Sequence, residues 1–254
     1  MDDLIKSKLQ FLAAKYENKN FLKEDPSQFL YWYPMNQIID IECAAFIAAM
    51  LSFGQRKQFI PKISNILTIA DNTSGTISKW LCSGSKGFPR GATKYYRFYS
   101  FDDMHDLFEE LSIIIANNGD RPCCSFGEYL KKKYEKNRNM YLSDLISQSF
   151  TKSKIVSKGC NTANKRVNMF LRWMVRKNSS VDLGLWSWYS ENDLIIPLDV
   201  HVLEESIKLG LIEKNSKATR KTALLLTEKL KEIFSSDPCK ADYALFGLGI
   251  NRNE

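Results

Sequence analysis

The stretch Ile41 to Phe53, IECAAFIAAMLSF, is almost wholly apolar, and Gly54 stops it. A run of that length with no alternation reads as a helix buried on all sides. Such a helix needs a shell of other elements, and the chain supplies them as further helices. Residues 3–17 place Ile5, Leu9, Leu12, Ala13 and Tyr16 on one face. Residues 101–117 do the same with Met104, Leu107, Phe108, Leu111 and Ile115. More helices are predicted near 57–70, 75–82, 124–135, 140–150 and 163–177, from Asp199 to Leu209 before Gly210, over 217–234, and in DYALFGLGI near the end. The aromatic patch FLYWYP is a short helix or packing loop. SGSKGFPRG is a loop, and Asn117, Asn118, Gly119 and Asp120 form a turn. The single strand-like piece, LIIPL at 194–198, has no evident partner. The expected fold class is all-α. It has two helical lobes, approximately 36–150 and 1–35 plus 151–254, with a groove between them.

The hydrophobic fraction of 44% is enough for a real core in 254 residues. No apolar run reaches the roughly 18 residues of a membrane span. The opening MDDLIKSKLQFLAAKYEN has no signal-peptide apolar block. The expectation is a cytoplasmic monomer without a membrane partner. Cysteines at 43, 82, 123, 124, 160 and 239 make no C-x-x-C pair, and the histidines are His105 and His201. That argues against zinc, and Cys239 alone near the C-terminus argues against a four-cysteine iron–sulfur cluster. Reduced, buried thiols are expected, with no metal.

The net charge is +7. From Thr151 to Lys177 there is no Asp or Glu, while Lys152, Lys154, Lys158, Lys165, Arg166, Arg172, Arg176 and Lys177 all fall there. A phosphate-facing surface and an ordinary solvated one are equally good readings of that segment. A second cluster, Lys131, Lys132, Lys133, Lys136 and Arg138, is diluted by Glu128 and Glu135 and reads as solvated.

On helix 163–177, Val167, Phe170, Leu171 and Met174 share one face, while Lys165, Arg172 and Arg176 share the opposite one. Lys165 also lies in the first turn. There the helix N-terminus and neighbouring Arg166 disfavour a charged ammonium. A neutral amine in such a place can attack a sugar carbon and form a Schiff base; an idle surface lysine is the plainer reading. Asp199 follows Pro197 and Leu198 and precedes a helix, the position of an N-cap. A capped aspartate stays ionised and fixed, and can stabilise the cationic sugar that forms as a base leaves. His201 reads as a packing or hydrogen-bonding residue. Phe53, Trp173, Trp186 and Trp188 are either core or platforms for a flipped base.

The run NKRVNMFLRWMVRKNSSVDLGLWSWY, then LIIPLDVHV and DYALFGLGI, is similar to an uncharacterised bacterial domain-of-unknown-function family over nearly the whole chain. More remotely, LSFGQ (Leu51 to Gln55), the lysine-led helix Lys165 to Arg172 and the apolar run into Asp199–His201 resemble the helix–hairpin–helix DNA glycosylases, the archaeal-type 8-oxoguanine glycosylases most closely. The resemblance implies a base-excision repair glycosylase, with or without lyase activity, acting on a damaged base such as an oxidised purine. Lys165 would be the Schiff-base nucleophile and Asp199 its helper, with no cofactor. The DNA backbone would meet Lys158, Gly159, Cys160, Asn161, Thr162, Ala163, Arg166, Arg172 and Arg176, while Gln55 would probe the gap in the duplex. One glycine, Gly159, precedes the lysine, and the lysine and aspartate are 34 positions apart. A helix–hairpin–helix protein that binds nucleic acid without catalysis, and a helical interaction domain, are the alternatives.

Overall fold

The computed structural model describes residues 3–116, 121–158 and 161–250, so the turn expected at Asn117–Asp120 lies outside the described residues. In chain order the helices are α1 (Asp3–Tyr16), α2 (Ile38–Leu51), α3 (Arg56–Ser74) and α4 (Ile77–Cys82). A two-stranded hairpin follows, β1 (Lys94–Tyr96) and β2 (Tyr99–Ser100). Then come α5 (Phe101–Ala116), α6 (Phe126–Lys136), α7 (Leu142–Ser149), α8 (Lys165–Val175), α9 (Val200–Lys208), α10 (Arg220–Lys231) and α11 (Ala241–Ile250). The protein is therefore mostly helical. Among the described residues no helix is long and apolar enough to cross a membrane. The chain divides into two compact units, residues 24–158 and residues 1–23 with 159–254.

In the unit of residues 24–158, α2 is the centre, and every residue from Asp40 to Leu51 is buried. A helix sunk this deep must find partners for its two carboxylates, because an unpaired buried charge is costly. Both cap neighbouring helices. Asp40 accepts from the Ser78 N–H of α4 at 2.9 Å, and Glu42 from Phe126 N–H at 2.7 Å and Gly127 N–H at 3.2 Å at the start of α6. α6 also carries a Ser125–Glu128 capping box.

The hairpin is a correction to the sequence reading, which assigned no element to residues 92–100 and had LIIPL as the single strand-like piece. Its turn is Arg97–Phe98, with Arg97 in the left-handed region at φ 51°. The hairpin covers the end of α2, where Phe53 lies 4.9 Å from the Tyr96 ring and 5.3 Å from the Phe98 ring. Gly54 cannot carry a side chain there. Its φ is 81°, and a Cβ would sit 2.6 Å from an Arg97 guanidinium nitrogen.

In the other unit, α1 packs along α11, and α9 packs against α11. At Gly247 of α11 the two helices leave no room for a side chain, since a Cβ would stand 2.1 Å from the Tyr16 ring. Gly247→Ala should therefore cost about 1–3 kcal/mol by overpacking, read as an earlier denaturation midpoint. An unchanged midpoint would show that Tyr16 yields instead. The LIIPL run is not a strand. Residues 194–198 are buried, but the Ile196 N–H donates to the Thr227 hydroxyl at 3.0 Å, the Leu198 N–H turns back to the Ile196 carbonyl at 2.8 Å, and Pro197 has no N–H for a ladder.

Candidate active site

α8 begins where Asn164 turns left-handed at φ 48°, a conformation asparagine tolerates better than most residues. Lys165 is the first helical residue, and from Val167 to Val175 every side chain is buried. The buried run Leu194–Leu198 delivers Asp199 as the N-cap of α9. Asp199 Oδ1 accepts from the Val202 N–H at 2.9 Å, which leaves Oδ2 to face Lys165 Nζ at 3.9 Å. The two side chains are 30% and 33% exposed, so a ligand can reach both. The structure thus brings together the lysine and aspartate that are 34 positions apart in the chain.

Beneath this pair lies a buried ion cluster that overturns part of the sequence reading. Arg172 and Arg176, expected to share a solvent-facing surface with Lys165, are 3% and 1% exposed. Arg172 pairs with Asp242, and its Nε lies 3.4 Å from Asp182 in a contact without hydrogen-bond geometry. Arg176 pairs with Asp182, with Asp237 at 2.7 Å and with Glu17 at 2.9 Å. Tyr243 donates its hydroxyl to Asp182 at 2.9 Å, and the Arg172 guanidinium sits 4.5 Å from its ring centre. Burial opposes the Arg172 charge, but Asp182, Tyr243 and Asp242 outweigh it and hold the guanidinium above the ordinary arginine range. These two arginines have no surface to offer a phosphate.

The insert after α8 supplies the central acid of that cluster. It folds back so that Leu183 and Gly184 N–H donate to the Trp173 carbonyl and Trp186 N–H donates to the Met174 carbonyl. Those bonds satisfy the last carbonyls of α8 and set Asp182 between the two arginines. Trp173 and Trp186 are buried by the same fold-back, so neither is a platform for a base; Trp188 stacks on Trp186 at 5.8 Å and stays half-buried.

Much of the remaining basic segment is neutralised as well. In its own unit Lys152 pairs with Asp106 at 3.1 Å and Glu109 at 2.7 Å, and Lys154 pairs with Asp103 at 3.4 Å. Lys158, exposed in that unit, donates to the Thr151 carbonyl. Gln55 is exposed there at the start of α3, and Phe53 belongs to the hairpin's aromatic cluster. Gly159 and Cys160 lie outside the described residues. Residues 150–164 contain no helix among the described residues, so α8 is entered from an irregular segment. Asn161 and Thr162 are exposed and Ala163 is buried. Thr162 bridges to Thr219, and the Arg220 N–H donates to the Asn161 carbonyl at 3.1 Å. This sets the start of α10, with Lys217, Arg220 and Lys221, against the segment leading to Lys165. Arg166 is half-buried in the first turn of α8. Sequence reasoning missed these cations at and just before the start of α10 because their neighbour is some sixty positions away.

Sequence reasoning also missed Asp242, in the first turn of α11. Burial pushes its carboxyl up to about 6 against the pull of Arg172, with Asp199 adding to the rise and Lys165 opposing it.

Fold and site together define a mostly helical protein of two units, one of which carries a half-exposed lysine–aspartate pair over a buried ion cluster. Over residues 25–251 the chain matches the model of a family described as protein of unknown function, DUF2400, and it belongs to that family. No curated protein and no solved structure matches it.

Proposed function

We propose that the protein is a DNA glycosylase with lyase activity, acting on a damaged base. The observation that carries the reading is the pair itself. Lys165 stands 3.9 Å from an aspartate whose other oxygen is locked in a helix cap, and both side chains are reachable from solvent. In this reading the Lys165 amine attacks C1′ of the deoxyribose. The glycosidic bond breaks and its electrons leave with the base, which takes up a proton. The attached amine gives up a proton, the sugar ring opens as the C1′–O4′ bond breaks with its electrons going to O4′, and O4′ takes up a proton, leaving a protonated imine between Lys165 and C1′ that ends as the neutral imine when it loses its last N–H proton. Asp199 stabilises the positive charge that builds on the sugar and then on the imine. Arg166, the Asn161–Thr162 segment, Lys217 just before α10, and Arg220 and Lys221 in its first turn are the proposed contacts to backbone phosphate.

Borohydride trapping tests this directly, because hydride reduces the imine to a stable amine. Wild-type protein should form a covalent adduct with duplex DNA carrying an abasic site or one of a panel of oxidised bases. Peptide mapping should place that adduct on Lys165. No adduct with any duplex of the panel would sink the proposal. Salt-sensitive binding without an adduct would move the reading to a non-catalytic nucleic-acid binder.

Asp199 can be separated from its structural job. Asparagine caps a helix about as well as aspartate, so Asp199→Asn should hold stability within about 0.5 kcal/mol. It should still lower the trapping rate about a hundredfold, as expected for a lost charge-stabilising group. Equal loss of both would make Asp199 a cap and nothing more.

A further inference from the structure

A two-residue hairpin turn is ordinarily made by glycine, asparagine or aspartate. In the unit of residues 24–158 it is Arg97–Phe98, with Arg97 held left-handed at φ 51° and Phe98 58% exposed. The Phe98 ring lies 5.3 Å from the Phe53 ring and 4.5 Å from the Tyr99 ring, and the Tyr96 hydroxyl pins Phe53 by donating to its carbonyl. The ring is thus packed on one side and open to solvent on the other. Single exposed apolar side chains are common, and what sets this one apart is the charge around it. Residues 52–70 hold Arg56, Lys57 and Lys62 and no Asp or Glu, and residues 72–101 hold five more cations and again no acid. Asp71, between them, accepts from the Trp32 indole at 2.8 Å and the Tyr33 hydroxyl at 2.6 Å. The two segments meet at the hairpin. The Tyr95 hydroxyl donates to the Lys62 carbonyl at 2.6 Å, and the Lys62 ammonium stands 4.8 Å over the Tyr95 ring. Lys94 Nζ donates to the Phe98 carbonyl at 2.9 Å, and the Arg97 guanidinium lies 5.9 Å from the Phe53 ring centre. Among the described residues none of these three cations pairs with a carboxylate, unlike Lys152 and Lys154 of the same unit. The acids at the base of the hairpin, Asp102 and Asp103, accept from the Gly91 and Ser100 N–H groups at 2.8 Å each.

We propose that the hairpin tip is a nucleic-acid site that takes an unpaired base. The base stacks on the open face of Phe98, while Lys94 and Arg97 meet the phosphates that flank it. Every base has a π-face, so such a platform binds a strand with little regard to sequence, and the cations follow its backbone. Other partners fit less well. An acidic peptide answers the charges and leaves the ring without a partner. An apolar protein surface covers the ring and desolvates cations that have no counter-charge. A nucleic-acid strand alternates a flat ring with a fixed anion, which is the pattern the tip presents. The base must be unpaired, because in an intact duplex its faces are covered by its neighbours. The inference rests only on the nucleic-acid part of the proposed function. It needs no lesion and no imine, and all of its residues lie in the unit of residues 24–158.

The test uses the full chain and an undamaged, fluorescently labelled single-stranded oligodeoxynucleotide of mixed sequence, with binding read by anisotropy. Phe98→Ala should weaken binding about tenfold, the effect of losing one stacked base. Phe98→Leu, which stays apolar but has no π-face, should fall with alanine, and Phe98→Tyr should bind as wild type does. The same sequence paired into a duplex should lose less than about twofold in Phe98→Ala, because its base faces are covered. Lys94→Gln and Arg97→Gln should each lower the slope of log affinity against log salt by about 0.7, one phosphate contact on a single strand. Wild type that fails to bind the single strand, Phe98→Leu that binds as well as wild type, or equal losses on strand and duplex would overturn the inference. So would salt slopes unchanged in both cation variants, and these decide alone if Phe98→Ala and Phe98→Leu do not fold. No trapped adduct at Lys165 together with these losses keeps the tip site and removes the glycosylase; an adduct without them does the reverse.

Discussion

Lys165→Gln should fold normally and lose the borohydride-trapped adduct, by about a thousandfold or more, as expected when a nucleophile is deleted. Glutamine fills the same space, but its amide nitrogen forms no imine. The structural cost should be small. Lys165 is 30% exposed, its contact with Asp199 is 3.9 Å long, and Asp199 keeps its cap bond to Val202 without it. A half-exposed pair of that length is worth less than about 1 kcal/mol. Lys165→Arg sharpens the comparison. Arginine keeps a positive charge beside Asp199 but stays protonated, so it too should give no adduct, even if DNA binding is retained. Surface lysines react slowly with any abasic site, and the mapped position of the adduct therefore matters as much as its yield. A Lys165→Arg protein that traps as well as wild type would move the nucleophile elsewhere and leave Lys165 a phosphate contact.

The parts of this molecule that could be read from sequence are those governed by neighbours in the chain. The apolar run of α2 declared a buried helix because twelve consecutive residues share one environment. The cap at Asp199 was legible because its partner, Val202, is three residues away. The hairpin was missed for two local reasons. Strands of two or three residues are too short to show alternation, and the left-handed turn residue is Arg97 where glycine or asparagine would announce a turn. The arginines of α8 were misread for a non-local one. A helical wheel places Arg172 and Arg176 opposite the apolar stripe, and that face looks solvated unless its partners are known. Those partners are Glu17, Asp182, Asp237 and Asp242, brought in by the α1 end, the insert and the α11 start. The insert itself looked like a disturbance between lysine and aspartate. In the fold it closes the end of α8 and carries the acid between the two arginines.

Removing that acid should have the largest effect on stability of any single charge in the molecule. Asp182 has a fully buried side chain that meets Arg172, Arg176 and the Tyr243 hydroxyl at once. Asp182→Ala leaves both guanidiniums inside with less compensating charge. Asp242, Asp237 and Glu17 remain, but none of them lies between the two arginines. Breaking a buried pair by deleting one partner costs about 3–5 kcal/mol, because the charge left behind stays desolvated. Urea unfolding followed by tryptophan fluorescence reads the right region, since Trp173 and Trp186 are buried in the same unit. Tyr243→Phe is the control. It removes one hydroxyl bond to Asp182 and keeps the ring beneath Arg172, so it should cost only about 1 kcal/mol. Asp182→Asn should fall nearer to alanine than to wild type, because the amide keeps the shape and loses the charge that the arginines require. If Asp182→Ala and Tyr243→Phe shift the midpoint equally, the cluster is held by packing around Tyr243 and the charge of Asp182 contributes little. A larger shift for Asp182→Ala, with Lys165 trapping reduced in the surviving folded protein, would tie the insert to the site as well as to the core. Arg172 makes that coupling physical, since it touches Asp182 on one side and Asp242 on the other.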